Sequence, residues 1–263
     1  MKTIFLKEIQ NNLKSFIIWT LTVGLMGLAC ILLYKSMEGE MQSMADAFSN
    51  MGAFSDAFGM STLSVATIEG FFATEVGTVH GLGSAMFAAI LAIGIISKEE
   101  EGHSGEFLLS LPVTRSNVVA AKGICIVMMI FLFTVICTVL YAIGFVALGE
   151  DVPTKYLLTF MGMQLLMNLE IAGICFAVSS LSGKNRMGLG IGIALFLYIY
   201  DVMGRVVPDL KDALFVGPYS FANASDIFSG KDILVSGIVL SAAVTILCVA
   251  FSFFWYNKRD IAS

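Results

Sequence analysis

Charged residues are scarce in this sequence: Asp, Glu, Lys and Arg make up 13 % of its 263 residues, where a soluble domain carries about 25 %. Hydrophobic residues reach 57 % and mean hydropathy is +0.87, so the scarcity points to a bilayer protein. Histidine is almost missing, with His80 and His103 the only two. No H-E-x-x-H occurs. A glutamate-type membrane protease would want E-E-x-x-x-R with histidines on later spans, and both Glu99-Glu100 and Glu100-Glu101 lack that arginine. Metal-dependent intramembrane hydrolysis is therefore set aside, and no metal site is expected. The sequence also lacks a phosphate-binding loop. Gly183-Lys184 and Gly230-Lys231 miss both the upstream glycine and the following hydroxyl residue of G-x-x-x-x-G-K-[ST]. The chain is expected to be non-catalytic. Five cysteines, Cys30, Cys125, Cys137, Cys175 and Cys248, all lie inside apolar runs. That odd, buried set reads as small hydrophobes and excludes a disulfide framework.

What the sequence does have is apolar length. Six stretches, 16–34, 78–97, 123–148, 156–181, 187–207 and 233–256, suit a hydrocarbon core of about 30 Å, which takes about 20 helical residues. The expected fold is an all-α polytopic membrane protein, one transmembrane domain over 1–263. Lys2, Lys7 and Lys14 precede the first stretch, as in a signal peptide. Its run outlasts the usual h-region and five more follow, so the segment is expected to stay. An even number of spans puts both termini on one side. With the termini inside, that side holds Lys2, Lys7, Lys14, Lys98, Arg115, Lys122, Lys184, Arg186, Lys258 and Arg259, most of the 15 basic residues. The positive-inside rule then gives N-in, C-in in a cell membrane.

Two outer segments result, 35–77 and 208–232. In the first, Met37, Met41, Met44, Phe48 and Met51 recur at helical spacing. A Cu(I)-binding methionine ladder is one reading; an apolar packing stripe is favoured, because a phenylalanine interrupts the series. The second alternates polar and aromatic residues around Pro218-Tyr219 and is expected to dip partly back into the interface.

Between the second and third spans lies a charged loop, 98–122. Glu99, Glu100 and Glu101 follow the span directly, where a solvated face is expected. Ser104 can cap a new turn, and Glu106 there suits the helix dipole. Phe107, Leu108, Leu109 and Leu111 add apolar surface on a segment too short to cross a membrane. Pro112 ends it, and Thr114 can cap the next helix. Such a helix either contacts another protein or lies on lipid headgroups.

The run Glu100-Glu101, Ser104, Glu106-Phe107-Leu108-Leu109-Ser110-Leu111-Pro112-Val113-Thr114-Arg115, with Lys122, resembles the corresponding loop of ABC-2-type permeases, the membrane subunits of bacterial ATP-driven exporters. Their pattern is close to E-E-x-G-T-x-E-x-L-L-S-x-P-V-[ST]-R. The usual Gly-Thr pair reads His103-Ser104 here, with the glycine at 102. The six-span layout and the basic tail Lys258-Arg259 extend the similarity. The resemblance implies that this loop is a coupling helix docked on a separate cytoplasmic ATP-binding subunit, with Glu100, Glu101, Ser104, Glu106, Phe107, Leu108, Leu109, Pro112 and Arg115 at the contact. It further implies an interfacial helix within 1–15, a second permease subunit, identical or not, and ATP and Mg on the partner. No cofactor in this chain and no nucleic-acid partner are expected.

Within the spans, Glu170 sits mid-membrane, where a carboxylate is costly. It either packs against a neighbouring helix or serves the pathway; a secondary transporter or channel coupled through it is the alternative function. Asp201 and Arg205, four apart, can pair along one helix face. Gly77-x-x-x-Gly81 and Gly188-x-x-x-Gly192 mark candidate close helix contacts.

Overall fold

A computed structural model describes residues 1–49, 51–57, 60, 63–103 and 112–259. Among the described residues, six helices are long and apolar enough to cross a membrane. They are α1 (Lys2–Ser49), α2 (Ile68–Ile93), α3 (Arg115–Leu148), α4 (Thr154–Leu181), α5 (Met187–Val206) and α6 (Val235–Lys258). No strand occurs among the described residues. All four prolines, Pro112, Pro153, Pro208 and Pro218, fall between these helices, as expected of a residue that removes a backbone donor and clashes with the preceding turn.

α1 has 48 residues, about 72 Å of helix. It runs unbroken through 1–15, so that segment forms no separate helix. It also continues beyond the first apolar stretch, where Met41 is buried and Met37 packs on the core. That is the packing-stripe placement for these two methionines. Tyr34 donates to the Ala66 carbonyl at 2.8 Å, tying α1 to the approach of α2.

α2 begins ten residues earlier than the apolar pattern implied. Thr67 caps it by accepting from the Gly70 N–H, and Phe72–Val76 is a π-helical turn. Threonine hydroxyls along this first stretch are satisfied within the helix. Thr74 donates to the Gly70 carbonyl at 2.9 Å and Thr78 to the Thr74 carbonyl at 2.6 Å. α3 opens on Thr114, whose hydroxyl accepts from the Asn117 N–H at 3.2 Å. It closes on Gly149 in the left-handed region at φ 80°, the conformation that favours glycine.

α1 packs closely on α3. A Cβ at Gly27 would lie 2.4 Å from the Tyr141 ring, so only glycine lets these helices approach so far. α4 lies between α2 and α6. Inside the bundle, His80 is fully buried with Nδ1 2.9 Å from the Tyr141 hydroxyl. Ser84 donates to Asn168 Oδ1 at 3.2 Å, linking α2 to α4.

The stretch between α5 and α6 returns into the bundle. A 3₁₀ segment, Pro208–Val216, leads to buried Tyr219, Ser220, Phe221 and Ala222, then to a short helix, Ala224–Phe228. Gln164 donates to the Ala222 carbonyl at 2.9 Å. Phe228 meets Phe72, Tyr156 and Phe160. The segment 208–232 thus plugs that end of the bundle, a deeper return than the partial dip expected.

Candidate coupling site

The three consecutive glutamates form one short helix, Lys98–Glu101, just after α2. Successive helical residues point about 100° apart, and here each finds a different part of the chain. Glu99 accepts from the Lys122 ammonium of α3 at 2.7 Å. Glu100 accepts from Arg259 in the tail after α6. Glu101 accepts from the backbone N–H of Asn185, in the connection between α4 and α5, at 3.0 Å. The solvated face expected for these glutamates is therefore corrected for two of them. Only 16 % of the Glu99 side chain and 5 % of the Glu100 side chain are exposed. Three acids in a row read as a surface because their partners lie far along the sequence.

Lys122 is wholly buried, and its ammonium donates to three acceptors: Glu8 of α1 at 2.8 Å, Glu99, and the Ile95 carbonyl. Glu8 also accepts from Lys98. Two carboxylates and two ammoniums thus share one largely buried site with balanced charge, which is what makes their burial tolerable. Arg259 extends the cluster by donating to the Ser180 carbonyl at the end of α4, at 2.7 Å. Arg115, where α3 begins, donates through Nη1 to the Arg259 carbonyl at 2.5 Å and reaches those of Tyr256 and Asn257. Burial pushes the Glu99 carboxyl above its ordinary value against the pull of Lys122, and burial likewise raises Glu100 against that of Arg259.

The hub therefore holds Glu100, Glu101 and Arg115 from the expected coupling set, and Pro112 lies exposed three residues before Arg115. Ser104, Glu106, Phe107, Leu108 and Leu109 lie outside the described residues. Glu8, Lys98, Glu99, Lys122 and Arg259 also take part and lie outside that set. Glu8 carried a signal, since it is the only acid before Glu38 and stands among Lys2, Lys7 and Lys14.

Elsewhere, Glu170 is buried where α4 meets α6, and its Oε2 has no hydrogen-bond partner among the described residues. Asp201 and Arg205 do meet, at 2.9 Å. Arg205 also binds Asp226 in the plug at 2.7 Å, and Asp226 binds Lys231 at 2.7 Å. Of the glycines, Gly77 faces Ala224, where a Cβ would come within 2.5 Å, and Gly81 has ordinary contact with Gln164. Gly188 and Gly192 make no close contact within this chain, where a Cβ at either meets nothing within 4 Å. The close approach of α5 falls at Gly190 instead, against Ile93 and the Ala89 carbonyl.

Comparison with known families gives one result that covers this whole arrangement. A family model described as ABC-2 family transporter protein matches residues 2–261. The chain belongs to the ABC-2 transporter family. A comparison with curated proteins found no match. Family membership and six membrane-length helices make it a multi-pass permease of an ABC transporter, a membrane transport subunit that is not itself catalytic. In this permease the ion hub flanks both ends of the loop that resembles the coupling loop of the family.

Proposed function

We propose that this permease forms half of a translocation pathway for export, with a second permease subunit, and takes its power stroke from a separate cytoplasmic ATP-binding subunit that carries ATP and Mg. The reading puts the hub end in the cytoplasm, N-in and C-in, in a bacterial cytoplasmic membrane. Residues 104–111 dock on the ATPase through Phe107, Leu108 and Leu109. The observation that carries this is the stem of the loop. Glu99, Glu100 and Glu101 on one side and Arg115 on the other are bonded to α3, the tail of α6 and the α4–α5 connection, while Lys98 and Lys122 bring in α1. A push on the loop thus reaches the ends of several spans directly. Glu170 packs toward α6, and no second reading is favoured by it.

The test is co-expression with the neighbouring ATPase and purification in detergent, comparing the wild type with a Leu108→Glu, Leu109→Glu double variant. The wild type retains the ATPase and the variant loses it while remaining in the membrane; equal retention by both rejects the docking assignment. Orientation is checked separately. A Lys184→Cys variant reacts with a membrane-impermeant thiol reagent in inside-out vesicles and is protected in right-side-out ones.

A further inference from the structure

A groove of about 390 Å³ runs between α3, α4 and α6 beside the hub, lined by Val119, Gly123, Ile126, Phe176, Val249 and Phe253 among others. It is open along its outer side, where Ile124 and Val127 are half exposed. Its α3 wall starts four residues into that helix, and its α6 wall ends five residues before that helix stops. Beyond its hub end, Ser116 of α3 and Asn257 of α6 are bonded to each other at 3.0 Å.

We propose that this groove holds one acyl chain of an anionic phospholipid from the leaflet next to the hub. Water has no partner there. The one lining hydroxyl, Thr245, already donates to the Ser241 carbonyl at 2.8 Å, and an apolar cavity of that kind does not retain water. The groove follows α3 from Val119 to Val127, about 12 Å at helical rise, between almost wholly apolar walls that are open on one side. A single flexible hydrocarbon chain can follow such walls and is present in the surrounding solvent. The headgroup is assigned by charge. Arg115 stands at the hub end of the groove with only Nη1 engaged, so Nε and Nη2 carry no bond to any described residue. Those two N–H edges suit a phosphate.

Naming the leaflet rests on the N-in reading, which the thiol labelling tests by itself; occupancy of the groove does not depend on it. The experiment is native mass spectrometry of the full chain in mild detergent, with phosphatidylglycerol or phosphatidylcholine added. It compares the wild type with Gly123→Leu and Ala120→Leu, two independent fillings of the groove, and with Val239→Leu, an exposed α6 position outside it. A Cβ at Gly123 meets only Phe176, at 3.9 Å, so a larger side chain there enters the groove instead of the backbone. The wild type and Val239→Leu retain one phosphatidylglycerol that both groove variants lose, and phosphatidylcholine is held less. No adduct on the wild type, or the same adduct on folded groove variants, overturns the proposal. So does loss of a dimer mass with lipid unchanged, which hands the groove to a second copy.

Discussion

Substituting Lys122 with Met leaves Glu8 with Lys98 as its one cation and strips Glu99 of the ammonium 2.7 Å away. Removing one partner of a buried ion cluster costs about 3–5 kcal/mol, so Lys122→Met is expected to destabilise the permease by about that much in denaturant unfolding in detergent. A loss below about 1 kcal/mol would mean the cluster is wetter than its burial indicates. At the opposite end, Asp226 is shifted in the opposite sense to Glu99 and Glu100. Burial alone would raise its carboxyl, but Arg205 and Lys231 outweigh that and hold it below the usual 3.8. A depressed folded value means that the unfolded state binds the proton first as pH falls. The contribution of Asp226 is therefore fully present above about pH 3.8 and disappears as pH drops through the lower folded value. Melting followed between neutrality and pH 3 shows this as a falling transition that Asp226→Asn flattens. An unchanged slope in that variant would place the acid sensitivity elsewhere.

At the scale of elements, the contact of α1 with α3 turns on Gly27. A leucine there drives into the Tyr141 ring, and overpacking of this kind costs about 1–3 kcal/mol. Gly27→Leu is expected to lower the melting temperature, whereas Gly188→Leu, with nothing within 4 Å in this chain, leaves the isolated permease unchanged. The contrast also marks what the sequence could tell. Six spans were legible because long apolar runs with every proline outside them leave few other folds. Their ends were less so. Thr74 looks like a loop residue until its hydroxyl is seen returning to the Gly70 carbonyl one turn back. The glycine pairs were legible as a type of contact but not as positions, since Gly190, not Gly188 or Gly192, faces α2. The hub was half legible. Its acids stand together in the loop, but the Glu8–Lys122 pair spans 114 residues, a separation that no local pattern reports.

For the whole molecule, the tail separates assembly from transmission. Arg259 touches Glu100 and Ser180, and the proposed docking surface at 107–109 lies elsewhere in the chain. Arg259→Ala is therefore expected to keep the ATPase bound but to weaken the link between its cycle and the spans. In proteoliposomes this appears as ATP hydrolysis retained with transport reduced several-fold; loss of the complex would assign the tail to docking. The length of α1 sets the reach of such a link. Glu8 pins it near one end, and the 41 residues from there to Ser49 measure about 60 Å. A rod held that way is a pointer. A swing of a few degrees at the pivot displaces its tip by several ångström, so a hub that barely rearranges is still read, magnified, on the far side of the membrane.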